Sequence, residues 1–210
     1  MVAGVPTVIG MIREAELFVQ ADQALVGLVS RIRDDQWHLV LAPVFDMPGA
    51  DVPVEVRSAV DHLVYDDAWV PAMLAGSTMD EVGRDTFDGD LLGDDPRGRA
   101  AHYADAACAA ARTLVDPAAA VHCSYGDCPV DDYFRQLNIA RTLSAHDLAA
   151  LLGQPDPLTE ELARGMYEGT APAAGMWRSF GIFRAERPVP ADASWRERFL
   201  ALTGRGTLVA

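Results

Sequence analysis

The sequence of 210 residues contains no lysine, so its 17 positively charged side chains are all arginine. This absence excludes a Schiff-base lysine, a lysine general base and the lysine of a nucleotide-binding P-loop. The arginines are outnumbered by 31 acidic residues, which gives a formal net charge of −14. Because this charge repels phosphate groups, we expect neither nucleic acid nor an anionic membrane surface as a partner.

Long hydrophobic runs are absent too. No run approaches the roughly 20 apolar residues that a membrane-spanning helix needs. Residues 1–10 have neither the basic start nor the small-residue cleavage site of a secretory signal. We therefore expect a cytoplasmic protein that does not associate with membranes.

Cysteine is scarce. The three cysteines are Cys108, Cys123 and Cys128, an odd number that does not indicate a disulfide framework. His122 and Cys123, followed by Cys128, lack the paired spacing of a structural zinc site, and no second Cys/His pair follows them. We therefore favour a turn around Gly126 over a zinc site.

The hydrophobic residues recur every three or four positions, which is typical of amphipathic helices. The pattern predicts long helices at residues 11–36, 53–75, 99–115 and 129–152, and shorter helices at 159–167 and 194–204. We interpret segment 77–98 as a flexible connection, residues 120–123 as a candidate strand and 177–190 as extended. Helices of this length with few strand signals favour a single all-α domain.

Four sequence motifs follow one another along the chain. They are DDQW at 34–37, VPVEVRSAVDHLV at 52–64, LSAHDLAALLGQP at 143–155 and RPVPADASWRERFLALTGR at 187–205. In this order they resemble the DinB-like proteins, and within them the mycothiol-dependent maleylpyruvate isomerase branch. The resemblance covers nearly the whole chain. It implies one domain, residues 1–210, built as a DinB-like four-helix bundle with short additional C-terminal helices.

Members of this family usually hold a divalent metal with three ligands on two helices. His62 matches one ligand, but the alignment places Ala140 where the family has a glutamate and Ser144 where it has a histidine. His146 cannot replace the lost ligand, because it is turned by about 200° from Ser144 around the helix. The resemblance thus implies a degraded metal site, and we expect no cofactor. The alternatives are zinc with mycothiol, and a metal held weakly by His62 and carboxylates.

Polar and aromatic side chains occupy the helix faces where the family has its metal. They are His62, Tyr65, Asp66 and Trp69 on the second helix, and Arg141, Ser144 and Asp147 on the fourth. Spacings of three and four residues place each set on one face of its helix. We expect the two sets to line one pocket, in which Tyr65, Trp69 and Ser144 contact the substrate.

Four of these side chains have the chemistry of catalytic residues. His62 is a candidate general acid or base, with Asp66 or Asp147 fixing its tautomer. Arg141 supplies a positive charge suited to a carboxylate or an enolate. The alternative is that Arg141 and Asp147 form an ordinary surface pair and that His62 is kept for packing.

Three functions are compatible with this sequence. The first is a metal-independent isomerase or cyclase, or a lyase, of specialised metabolism that acts on a small molecule in the pocket of the degraded metal site. The second is an isomerase or thiol transferase that depends on mycothiol and a divalent metal. The third is a non-catalytic ligand-binding bundle. We expect a monomer or a homodimer in each case.

Overall fold

A computed structural model describes residues 11–208 of the chain. Residues 1–10, which carry the prediction about a secretory signal, lie outside the described residues. The described chain is mostly helical, with two small two-stranded sheets. Within it, none of the helices combines the length and the hydrophobicity of a membrane-spanning segment.

Four of the helices are long and the others are short. The helices are α1 (Arg13–Val29), α2 (Val56–Leu74), α3 (Met79–Val82), α4 (Pro96–Arg112), α5 (Val130–Leu152), α6 (Glu160–Thr170), α7 (Ala174–Ser179) and α8 (Trp195–Leu202). Strand β1 (Val40–Leu41) pairs antiparallel with β2 (Val54–Glu55), and β3 (Ala120–Cys123) pairs antiparallel with β4 (Gly126–Pro129). Single 3₁₀ turns lie at Asp34–Gln36 and Ala171–Ala173.

The long helices enclose the hydrophobic core. Helix α1 packs against α4 and α5, and α2 packs against α4, whereas α2 and α5 meet over a shorter stretch. Buried side chains from all four fill the interior, for example Phe18, Val60, Ala107 and Phe134. Helices α6 and α8 pack on each other and extend the core beside α1 and α5. This arrangement agrees with an all-α fold.

Most predicted helices lie within three residues of the observed ones, but the first prediction, 11–36, is too long. Helix α1 ends at Val29, and a new turn begins where the Arg33 amide donates to the side-chain oxygen of Gln36 at 3.0 Å. The hydrophobic period continued past the helix because Ile32 is buried in the core although it lies outside the helix. Helix α2 begins three residues later than predicted because Val54 and Glu55 pair with β1.

Segment 77–98, interpreted from the sequence as a flexible connection, has contacts that anchor it to the core. It contains α3, whose first turn is capped by Thr78. Leu91 and Leu92 are buried, and the Leu91 amide donates to the Asp61 carboxylate on α2 at 2.9 Å. The segment is acidic, which is typical of a solvent-exposed connection, and for this reason the burial of these two leucines was not predicted.

Two shorter predictions had opposite outcomes. The candidate strand at 120–123 is confirmed as β3, which forms a hairpin with β4 through Ser124 and Tyr125. The extended segment predicted at 177–190 is wrong at its start, because residues 177–179 are the last half of α7. This helix continues directly from the 3₁₀ turn that contains Pro172, so the chain is already helical when it reaches Trp177.

Candidate active site

A groove with two adjoining pockets lies between α2 and α5. The first, called the aromatic pocket, has a volume of about 270 Å³ and is lined by Tyr65, Asp66, Trp69, Tyr125, Tyr133 and Ala140, among others. The second, called the histidine pocket, has a volume of about 370 Å³ and is lined by His62, Asp66, Ala140, Ser144 and residues of the loop between β1 and β2. Because Asp66 and Ala140 line both pockets, the two adjoin at these residues.

Helical periodicity explains why these side chains meet. On α2, His62, Asp66 and Trp69 follow at spacings of four and three residues, which places them on one face. On α5, Tyr133, Leu137, Ala140 and Ser144 do the same. Five of the seven predicted site residues line the groove, and they are His62, Tyr65, Asp66, Trp69 and Ser144.

Asp66 has the most unusual environment in the groove. Its side chain is half-buried, and it has no hydrogen-bond partner among residues 11–208. Burial raises the pKa of Asp66, while the charges of Arg141 and His62 act in the opposite direction. A carboxyl group with a raised pKa exchanges its proton more readily near neutral pH, as a general acid or base must.

Aromatic rings form much of the wall on the side of the aromatic pocket. Tyr65 meets Trp69 edge to face, with ring centroids 6.3 Å apart, and it stacks on His62 at 6.4 Å. Tyr133 is buried on the opposite wall, and burial raises the pKa of its hydroxyl well above the usual value. The indole Nε1 of Trp69 is buried and has no hydrogen-bond acceptor in the described part of the chain.

Arg141 does not line the groove, which corrects its assignment as an anion ligand. Its side chain is completely buried behind Asp66, where its Nε donates to Asp22 at 3.3 Å and its Nη2 donates to Asp67. The guanidinium also lies over the ring of Phe18, 4.7 Å from the centroid. Arg141 therefore acts on Asp66 only through its charge. This charge lowers the pKa of Asp66, against the larger effect of burial.

Asp147 does not line the groove either, and it is not paired with Arg141. It accepts hydrogen bonds from Arg205 at 3.0 and 2.8 Å, and Arg205 donates in turn to the carbonyl oxygen of Val44 at 2.6 Å. Val44 lines the histidine pocket. Steps of three residues drift by about 60° each around a helix, so Arg141 and Asp147 point about 120° apart. Asp147 thus supports the wall of the histidine pocket through Arg205 and does not line the pocket itself.

The sequence interpretation missed four residues of this region. Asp22 and Asp67 are buried partners of Arg141, and Tyr125 and Tyr133 line the aromatic pocket. A signal for Asp22 was present, because an aspartate between Val19 and Leu25 interrupts the apolar face of α1. Tyr133 lies two helical turns before Ala140 on α5, so the helical period places both residues on the same face. Tyr125 lies in the hairpin turn, where helical periodicity gives no information.

The cysteines near the groove lie on the hairpin formed by β3 and β4. Cys123 and Cys128 are free thiols with their sulfurs 4.0 Å apart, whereas His122 lies on the other face of the strand, with its Nδ1 2.9 Å from Asp127. Burial raises the pKa of the Cys128 thiol to about 11. Because His122 points away from the two sulfurs, these side chains do not converge as zinc ligands do.

His146 is a packed residue, as its position on α5 indicated. It is buried, and its Nδ1 lies 2.9 Å from a carboxylate oxygen of Asp156 in the segment before α6. This pair holds the end of α5 against the C-terminal helices. It has no part in the groove.

The donor set of the groove does not fit the three-ligand metal centre of the DinB-like family. The aligned positions His62, Ala140 and Ser144 do line one pocket together. Only His62 among them is a strong metal ligand, and Asp66 adds one carboxylate. Across residues 11–208, no three side chains of His, Cys, Asp or Glu are arranged to hold an ion.

Comparisons of the chain with known protein families, curated proteins and solved structures found no match. Support for a function therefore comes from the chemistry of the groove. Its distinctive elements are one half-buried carboxyl group, a neighbouring imidazole and several aromatic side chains.

Proposed function

We propose that this protein is a small-molecule enzyme of the DinB-like four-helix-bundle fold that catalyses a metal-independent isomerisation or cyclisation, as in specialised metabolism. One observation carries the proposal. The carboxyl group of Asp66 stands at the junction of two pockets, without a hydrogen-bond partner among the described residues and with its pKa raised by burial. A carboxyl group that lines two adjoining pockets and whose pKa is raised by its surroundings is typical of a functional site.

The proposed reaction moves a proton within the substrate. The Asp66 carboxylate removes a proton from a carbon atom that lies at the junction of the pockets. His62, one helical turn away, donates a proton to another atom of the substrate. Asp66 then returns its proton to His62 through solvent. The composition of the substrate is unchanged, so the reaction consumes no oxidant and no reductant.

The alignment with the DinB-like family supports the place of this site. The three positions aligned with metal ligands come from two helices that are far apart in sequence, and they line one pocket. The reaction proposed here uses that location with different chemistry, because the donor set there does not fit the family's metal. The proposed reaction uses neither a metal nor mycothiol.

Solvent-deuterium incorporation tests this function even while the substrate is unidentified. The protein is incubated in heavy water with a panel of small ketones, 2-oxo acids and amino ketones, and mass spectrometry follows deuterium entering carbon–hydrogen positions. We expect the protein to accelerate exchange in at least one class. Asp66→Asn should lower that rate by about 10²- to 10⁴-fold, the range for loss of a general acid or base.

The matched control is Asp105→Asn, the same change at an exposed position of α4. This variant should exchange deuterium at the rate of the unmodified protein. Equal rates for Asp66→Asn and the unmodified protein would contradict the proposal, as would the absence of exchange in every class.

A further inference from the structure

The aromatic pocket combines four aromatic side chains with one carboxyl group. Tyr65, Trp69, Tyr125 and Tyr133 line it, and Asp66 lies where it adjoins the histidine pocket. Tyr65 and Trp69 meet at an interplanar angle of 69°, so their rings form differently oriented parts of the wall. Rings in several orientations around a carboxylate are the arrangement with which proteins bind organic cations.

The charges around the pocket point to the same kind of ligand. No arginine lines either pocket of the groove, and the chain has no lysine. The guanidinium of Arg141, whose charge acts on Asp66, is buried and already paired with Asp22 and Asp67. An anionic substrate would therefore find no direct positive partner in the aromatic pocket, whereas a cation would find the Asp66 carboxylate.

We propose that the aromatic pocket binds a compact organic cation, an alkylated ammonium or a protonated amine, between its aromatic walls and Asp66. The inference rests on the proposed function in one respect, because it assigns this cation as the head group of the substrate. The volume of about 270 Å³ suits a head group, and the rest of the substrate extends into the histidine pocket.

Two physical effects favour a cation in this pocket. The aromatic faces attract it through their quadrupoles. The second effect is electrostatic, because a cation supplies the partner that the Asp66 carboxylate lacks. A neutral molecule of the same shape gains the apolar contacts but neither of these two terms.

Binding should depend on pH, because the carboxylate form of Asp66 is the one that attracts a cation. The titratable and charged groups around Asp66 are His62 and Asp67 on α2, Arg141 and Tyr133 on α5, and Cys123 and Tyr125 on the hairpin. Because the share of Asp66 in the carboxylate form increases as the pH rises, cation binding should become tighter over the same range. Asp66→Asn, which carries no titrating group at this position, should lose this pH dependence.

The experiment compares choline with its uncharged carbon isostere, in which a tert-butyl group replaces trimethylammonium. Calorimetry measures affinity, and amide chemical shifts locate the binding site. We expect choline to bind at least about tenfold more tightly than the isostere, which corresponds to about 1.4 kcal/mol. The shift changes should centre on α2, α5 and the turn at Tyr125.

Two variants test the parts of the pocket. Tyr125→Leu should weaken choline binding more than isostere binding, and it should leave the fold intact because Tyr125 is 63% exposed. Asp66→Asn should reduce the preference for choline. Equal binding of choline and the isostere, or the absence of choline binding, would overturn the proposal. Choline binding without deuterium exchange would instead refute the catalytic function and leave cation binding standing.

Discussion

Arg141 on α5 donates a hydrogen bond to Asp67 on α2, and both side chains are closed to solvent. Asp22 on α1 accepts a second hydrogen bond from Arg141. One guanidinium therefore connects three long helices directly behind the groove. Because Asp67 is turned by about 100° from Asp66, the chain presents one carboxyl group to the core and the next to the pocket.

Removal of Arg141 should destabilise the protein strongly. In Arg141→Met, the carboxyl groups of Asp22 and Asp67 would stay buried without their cation, which costs about 3 to 5 kcal/mol of unfolding free energy. Urea unfolding followed by circular dichroism measures this loss. The matched control Arg33→Met breaks an exposed pair with Asp35 and should leave the unfolding curve unchanged. Equal curves for both variants would show that the buried cluster does not stabilise the fold.

The stability of the protein should fall as the pH rises from about 4 to about 7, because Asp67 titrates in this range. Burial raises the pKa of Asp67 to about 7, from an ordinary value of 3.8. Between these two pH values, the folded state thus holds a proton on Asp67 that the unfolded state has released. The contribution of Asp67 to the free energy of unfolding is complete below pH 3.8 and is lost as the pH rises through about 7.

Asp67→Asn removes this titration while it keeps an oxygen for Arg141. Unfolding free energies measured at several pH values should therefore fall less between about pH 4 and pH 8 in the variant than in the unmodified protein. Parallel pH profiles for the two proteins would contradict the assignment. The same slope in Asp105→Asn and the unmodified protein serves as the control.

Much of the fold was predictable because the hydrophobic period of α2, α4 and α5 is regular. The exceptions have local causes. Ile32 is buried beyond the end of its helix, and Leu91 and Leu92 are buried inside an acidic segment. In both places a few hydrophobic residues are held by tertiary contacts that the local pattern does not encode.

The site was predictable to the extent that one helical face defines it. His62 was found from the family resemblance, and Asp66 and Trp69 were found from their spacing relative to it. Arg141 and Asp147 were misplaced, because a series of i+3 steps drifts around the helix and leaves its first and last members on different faces. Their partners, Asp67 and Arg205, depend on packing between helices and on a C-terminal segment, which spacing within one helix cannot reveal.

Restoration of the missing ligands should create a metal site. In the double variant Ala140→Glu, Ser144→His, the new side chains would converge with His62 in the histidine pocket. We expect about one equivalent of zinc by elemental analysis after dialysis. The triple variant that also carries His62→Ala should lose it. If the double variant binds no more zinc than the unmodified protein, the alignment of α5 with the DinB-like family is wrong.

Loss of the Asp147 carboxylate should loosen the wall of the histidine pocket. Asp147→Asn weakens the hydrogen bonds that Arg205 donates to this side chain, and Arg205 also donates to the Val44 carbonyl. The substitution should lower the unfolding free energy by about 1 to 3 kcal/mol. The Asp46 amide, which donates to the Gly181 carbonyl at 2.8 Å, should exchange its hydrogen faster. Unchanged exchange at Asp46 would show that the loop does not depend on this pair.

The titration of Asp66 tests the central claim most directly, because both proposals depend on this carboxyl group. Carbon-13 NMR of the Asp66 side chain, assigned by comparison with Asp66→Asn, gives its pKa with and without choline. We predict a midpoint clearly above 3.8 that choline lowers and the uncharged isostere does not. A midpoint at or below 3.8, unaffected by choline, would contradict the account of this groove as the functional site.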